Sequence, residues 1–233
     1  MMHRNPSHFG SRESSRSGSS STALASIGFS GGLMGRSMGM TRKSSTSLAL
    51  AVMQHLNVVA FVGSLRHNSV NAATARAAAA AAPEGMEISI YPIDDIPFYN
   101  GDVEEAGVPV SVSALHETVG DADAVIYFTP EYNSSFPAVI KNIVDWLSRP
   151  PRSLDGTPLT AVATTLGGRA GAGVLEAFTS TYEHMSGDFP FFKPLGIGRY
   201  NDKLDEAGEL IDPETLQELS DYLAAFAEFV RSN

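Results

Sequence analysis

Apolar residues along this chain gather into short β-branched runs separated by stretches of helical period, beginning at Leu56. LNVVAFVG (residues 56–63) is a short β-branched run closed by glycine, the pattern of a buried strand of a parallel sheet. Residues 70–82 follow as a helix that Pro83 and Gly85 stop, and MEISIYP (86–92) alternates as a second strand. IDDIPFYNGDVEEAGVP (93–109) is too rich in Pro, Gly and Asp to be regular and reads as a long loop. A helix over 110–120 leads into a third strand, AVIYFTP (124–130). In PAVIKNIVDWLSRPP (137–151), Pro137 suits the first helical turn, and Pro150 with Pro151 ends the helix. Ile140, Ile143, Val144 and Leu147 form its buried stripe. LTAVATT (159–165) predicts the fourth strand, 173–185 a helix, and 191–197 a fifth strand. Asp212-Pro213-Glu214 then opens a last helix with an N-cap, Pro at its first position and an acid near the positive dipole end. Leu216, Leu219, Leu223, Phe226 and Val230 mark one face of it.

Strand and helix alternate five times, which predicts an α/β domain with a doubly wound parallel sheet and helices on both faces. In such sheets ligands bind beyond the carboxyl ends of the strands, so three loops carry the functional information. The first fifty residues stand apart: Ser, Gly and Arg dominate, with no period of 2 or 3.6. We expect residues 1–53 to be a low-complexity extension of the domain at 54–233. A transit peptide, a disordered tail, and an upstream extension with Met53 as the start all fit that composition.

The formal charge of −10 divides unevenly, with six basic residues against one acid in positions 1–50 (+5) and ten against twenty-five thereafter (−15). The domain therefore has no generic attraction for nucleic acid, and an anionic ligand must be held by local donors. The absence of cysteine removes thiolate catalysis and zinc–thiolate sites. No apolar run approaches the ~20 residues that span a bilayer, and neither a membrane nor a nucleic-acid partner is expected.

The first loop, GSLRHNSVN (63–71), joins strand to helix, where backbone N–H groups and partial positive charge favour an anion. Ser64, Ser69 and Asn71 add donors and Arg66 a full charge. Without Gly-Lys-Ser/Thr it is no nucleotide P-loop, and with Gly63 alone it is not the dinucleotide fingerprint; a terminal monophosphate suits it. A capped helix with an unrelated arginine is the competing reading. The second loop, TPEYNSSFP (129–137), packs two prolines, an aromatic and an amide into nine residues. Its backbone could face a planar heteroaromatic edge, although on physics alone an ordinary rigid turn fits better. The third, TTLGGRAGAG (164–173), has four glycines permitting close backbone approach, and Arg169 could stabilise charge near a ring. It is the convergence of all three on one sheet edge that carries weight.

GSLRxxSxN, PEYNxSxPxxxKNxxDWLSR and the GGRxG turn together resemble the NADPH-dependent FMN reductase family, which includes bacterial quinone and chromate reductases, over residues 56–231. The resemblance implies a flavodoxin-like fold with strand order 2-1-3-4-5 and FMN as cofactor. It implies that Ser64, Arg66, Ser69 and Asn71 hold the FMN phosphate. Pro130, Glu131, Tyr132 and Asn133 would border the flavin and its ribityl chain, and Gly168 with Arg169 would close the other side. Ser134 and Ser135 stand where relatives often have a bulkier residue. The implied activity is hydride transfer from NADPH to the flavin, then two electrons to a quinone, free flavin, azo dye or chromate in a ping-pong cycle. A cytoplasmic homodimer or homotetramer is implied as well, with no side chain acting as catalytic acid or base. The other reading is a flavodoxin-like electron carrier without NAD(P)H turnover. Against it, only Tyr132 stands ready to shield a flavin face. Among other candidates, the six histidines read as solvated or structural, Glu131 as a loop stabiliser, and Trp146 as core.

Overall fold

The computed structural model describes residues 55–233; the expected extension at 1–53 lies outside the described residues. Five strands, β1 (Leu56–Val62), β2 (Met86–Tyr91), β3 (Ala124–Thr129), β4 (Leu159–Thr164) and β5 (Leu195–Ile197), form one sheet in the order β2-β1-β3-β4-β5. Every neighbouring pair is parallel, which makes the domain a doubly wound, flavodoxin-like α/β fold. The helices are α1 (Val70–Ala80), α2 (Gly101–Ala106), α3 (Val110–Gly120), α4 (Ala138–Leu147), α5 (Ala172–His184) and α6 (Pro213–Ser232).

Strand alternation divides the core between two faces. Val59, Phe61, Val125, Tyr127, Ala161 and Ala163 pack against α3, α4 and α5 through Leu115, Ile143, Val144 and Phe178. Leu56, Val58, Ala60, Ile126, Phe128 and Val162 face α1 and α6, where Ala75, Ala78, Leu219, Leu223 and Phe226 meet them. β3 and β4 are buried at every position, as their largely apolar, non-alternating sequences predict. Within the first face, Tyr182 donates from its phenol to that of Tyr127 at 2.8 Å. Burial pushes both phenols far above the ordinary tyrosine range, so they stay neutral.

Two expectations need correction. The 93–109 segment is not wholly irregular: Asn100 caps a six-residue helix, α2, its side chain accepting from Asp102 N–H at 2.9 Å. No residue of α2 is buried, so no apolar period announces it. The fifth strand is also shorter than expected. Residues 195–197 pair with β4, and Phe191 makes only a single bridge to Leu159. Pro194, which lacks an N–H, separates the two.

The rest of the 93–109 segment is clipped to α4. The Asn142 side chain accepts from Tyr99 N–H at 2.8 Å and donates to the carbonyls of Ile96 and Pro97 at 3.3 and 3.0 Å. Trp146 is core, as expected, and its indole donates to the Pro97 carbonyl at 2.7 Å. Asn142→Ala would leave the Tyr99 N–H and the Ile96 carbonyl without this partner, while Pro97 keeps the indole bond, with an expected loss of about 1–3 kcal/mol in unfolding free energy. Urea denaturation measures the loss, and faster amide exchange at Tyr99 would locate it.

Candidate functional site

The first loop leaves β1 at Gly63, whose N–H donates to the Phe128 carbonyl at 2.8 Å. A side chain has no room there, since a Cβ would sit 2.8 Å from Ile140 Cγ1 and 2.9 Å from Pro137 Cγ. Ser69 is the N-cap of α1: its Oγ accepts from Ala72 N–H at 3.2 Å, leaving the hydroxyl proton to donate elsewhere. Helix geometry leaves the first-turn N–H groups without intrahelical acceptors. Arg66 is exposed and forms no ion pair among the described residues.

The second loop reverses at Tyr132–Ser135, where each residue's N–H donates to the other's carbonyl at 3.0 Å. The two central residues, Asn133 (φ 52°) and Ser134 (φ 60°), are both left-handed, as a tight turn of the type I′ class demands. Asn133 thus serves the turn and does not line the cavity described below. The Glu131 carboxylate accepts from Val174 N–H at 3.1 Å, in the first turn of α5. That helix has Gly171 at its N-cap with no capping side chain, so Glu131 supplies the missing acceptor from another loop. The loop-stabilising role read for Glu131 is what the structure shows.

The third loop turns into α5 through two left-handed residues, Ala170 (φ 50°) and Gly171 (φ 74°). Tyr200 N–H reaches back to the Thr165 carbonyl at 3.4 Å and brings the segment after β5 to the site.

These loops surround one cavity of about 400 Å³ at the carboxyl edge of the sheet. The size falls within the roughly 300–1,000 Å³ of small-molecule sites. Of the ten expected residues, Ser64, Arg66, Ser69, Asn71, Pro130, Glu131, Tyr132, Gly168 and Arg169 line it, and Asn133 alone does not. Asn71 lines it with its amide engaged at both ends: Oδ1 accepts from Thr164 N–H at 3.1 Å, and Nδ2 donates one N–H to the Thr164 carbonyl at 3.2 Å. Val70, Thr164, Thr165, Leu166, Gly167, Gly171 and Tyr200 are additional lining residues. The rule placing ligands at strand carboxyl ends could have found Tyr200, which follows β5 directly.

Electrostatically the site departs from the rest of the domain. Arg66 and Arg169 line it, and a Cβ built on Gly168 would lie 3.5 Å from Arg199 Nε. Two arginines thus line the cavity, one from the first loop and one from the third, with Arg199 beside Gly168, in a domain whose residues from 51 onward sum to −15. Hydroxyls, a guanidinium and helix N–H groups at one end, with Tyr132, Leu166 and bare glycines at the other, fit a ligand carrying a phosphate and a flat ring. The donor set thus fits FMN.

A model of the NADPH-dependent FMN reductase family matches residues 56–189. A quinone reductase of Escherichia coli K12 is 40% identical over 185 residues, covering 76% of this chain and 97% of its own. An NAD(P)H-dependent FMN reductase of Pseudomonas aeruginosa is 34% identical over 178 residues, covering 76% and 96%. Among solved structures, the flavoenzyme NAD(P)H:(acceptor) oxidoreductase FerB from Paracoccus denitrificans aligns with a TM-score of 0.69 at 29% identity. That alignment covers 76% of this chain and 98% of FerB.

Proposed function

This chain belongs to the NADPH-dependent FMN reductase family, and from that premise we propose that it reduces a quinone or a similar two-electron acceptor at the expense of NADPH, with FMN in the cavity at the carboxyl edge. The observation that carries this reading is the meeting of an anion cradle with two ring-sized loops around one cavity. FMN held there would supply the redox chemistry, hydride transfer from NADPH and two-electron transfer to an acceptor, and one shared space for both substrates would make the cycle ping-pong.

The protein's part is position and charge. Ser64, the Ser69 hydroxyl, the Arg66 guanidinium and the first-turn N–H groups of α1 hold the phosphate. Pro130 and Tyr132 border one side of the ring and Gly167 with Gly168 the other, where the lack of side chains leaves a face open to a nicotinamide. Glu131 keeps the second and third loops at a fixed separation through α5. Arg169 and Arg199 attract the dinucleotide phosphates to a domain that would otherwise repel them. Tyr132 (48% exposed) and Leu166 (60% exposed) give a flat, apolar rim for a planar acceptor. A homodimer or homotetramer in the cytoplasm belongs to the same proposal. No helix among the described residues is long and apolar enough to cross a membrane.

Anaerobic titration of the FMN-loaded protein tests the reading. NADPH should bleach the visible flavin absorption, and a quinone should restore it, with parallel double-reciprocal lines in steady state. A flavin that dithionite bleaches and NADPH does not would leave an electron carrier and refute the reductase. NADH titrated alongside sets the dinucleotide preference.

A further inference from the structure

Asn71 belongs to the first loop in sequence, yet its side chain faces the third. β4 hydrogen-bonds alternately to its two neighbours: Leu159 and Thr165 turn toward β5, and Pro158 accepts from Val125 of β3. By the same alternation the N–H and carbonyl of Thr164 face β3. β3 ends at Thr129, however, and the chain turns away through Pro130. The Asn71 amide takes the place a continued β3 would occupy, accepting from Thr164 N–H at 3.1 Å and donating to its carbonyl at 3.2 Å. Next to it, Thr74 donates its single hydroxyl proton to the Val70 carbonyl at 2.9 Å. The 2.9 Å contact between the Thr74 and Thr164 hydroxyls must then run from Thr164 to Thr74. All three residues are almost fully buried, Asn71 at 2%, Thr74 at 1% and Thr164 at 3% exposure.

A side-chain amide committed at both ends has nothing left for a phosphate except one remaining N–H and one lone pair. We propose that Asn71 is a positioning residue and not a phosphate ligand: its amide acts as a one-residue extension of β3 that fixes the point where the third loop leaves the sheet relative to the anion cradle at the start of α1. Thr164 is the last residue of β4, and the third loop begins at the next peptide. Asn71 sits two positions after Ser69, so the phosphate end and the ring end of the cavity are joined by this bond pair. The proposal rests on the FMN reading above.

The test compares FMN with riboflavin, which has the same ring and no phosphate, by fluorescence titration of the flavin-free protein. A positioning role at the ring-side loop predicts that Asn71→Ala weakens both ligands by the same factor, about tenfold for two buried hydrogen bonds. The ratio of the two dissociation constants then keeps its wild-type value. Arg66→Ala, in contrast, should weaken FMN by at least about tenfold and leave riboflavin unchanged. Loss of FMN affinity alone in Asn71→Ala would make Asn71 a phosphate ligand and overturn the proposal, as would no change in either constant.

A second readout needs no flavin. In the free protein the Thr164 amide should be protected from hydrogen exchange in wild type and unprotected in Asn71→Ala, and equal protection would count against the proposal. If Asn71→Ala does not fold, Asn71→Asp serves, because its carboxylate still accepts from Thr164 N–H while losing the donor to the carbonyl. It should keep Thr164 protected and weaken riboflavin, and free exchange at Thr164 in that variant would overturn the assignment. If Arg66→Ala leaves the FMN-to-riboflavin ratio untouched, the phosphate cradle fails, and the exchange result stands on its own.

Discussion

Gly171→Ala is expected to destabilise the protein by roughly 2–5 kcal/mol, enough to lower the melting temperature by about 5–15 °C in a domain of this size. Two costs add. The backbone is left-handed there (φ 74°, ψ 23°), which costs an L-residue roughly 1–2 kcal/mol. A Cβ would also lie 2.5 Å from Ala163 Cβ and 3.3 Å from Val174 Cγ1, both on buried residues without room to retreat. The steric part is separable: adding Ala163→Gly should recover it and leave the conformational part. Thermal or urea unfolding of the two single variants and the double variant measures each. If Gly171→Ala matched wild type, the packing of the third loop onto β4 described above would be wrong. The effect reaches function because Gly171 both lines the cavity and begins α5.

Arg66→Ala should raise the FMN dissociation constant about 10- to 100-fold, the equivalent of one charge-assisted hydrogen-bond pair, while stability stays within about 0.5 kcal/mol of wild type. An exposed guanidinium without an ion-pair partner contributes little to folding. Ser69→Ala differs because that serine has two tasks. It should weaken FMN and also cost about 1 kcal/mol of stability, since the Ala72 N–H loses its cap. Titration of FMN beside thermal unfolding separates the two variants. The Arg66 contribution should shrink as salt is added, while the Ser69 contribution should hardly change. Wild-type FMN affinity in Arg66→Ala would remove the arginine from the cradle.

These outcomes bear on what the sequence made legible. The parallel strands were readable because a strand buried on both faces must be predominantly apolar and β-branched or aromatic, as AVIYFT in β3 and LTAVAT in β4 are, their threonines being buried with their hydroxyls hydrogen-bonded. The helix over 110–120 and the Asp212 cap came from local signals that long-range contacts reinforce. Short elements behaved otherwise. α2 buries nothing, so its only signature is Asn100 before an acidic turn, easily lost in a stretch rich in Pro and Gly. β5 is cut short by Pro194, whose effect on pairing depends on a neighbour 35 residues earlier, Leu159.

At the site, loop position together with the family resemblance named ten residues, nine of which line one cavity. They did not reveal what each polar atom was already bonded to. Asn71 reads as a donor because asparagine is one, and only the fold shows that its amide is spent on a strand 93 residues away. Asn133 reads as a ligand contact, yet the turn it occupies needs a residue that tolerates positive φ. Tyr200 and Arg199 were missed because the segment after the fifth strand carries no glycine-rich or proline-framed signature like the other three loops, although that strand ends at Ile197 as expected.

The cross-links between loops also tie the site to the folding equilibrium. Asn71 joins α1 to β4, and Glu131 joins the end of β3 to α5, across separations of 93 and 43 residues. An unfolded chain cannot hold those partners together, so the cavity exists only in the native ensemble. Any molecule bound there draws the unfolding equilibrium toward the native state by RT ln(1 + [L]/Kd), about 2.7 kcal/mol at a hundredfold excess over Kd. Supply of the cofactor therefore sets the folded fraction as well as the active fraction, and a preparation stripped of it should melt at a lower temperature than a loaded one.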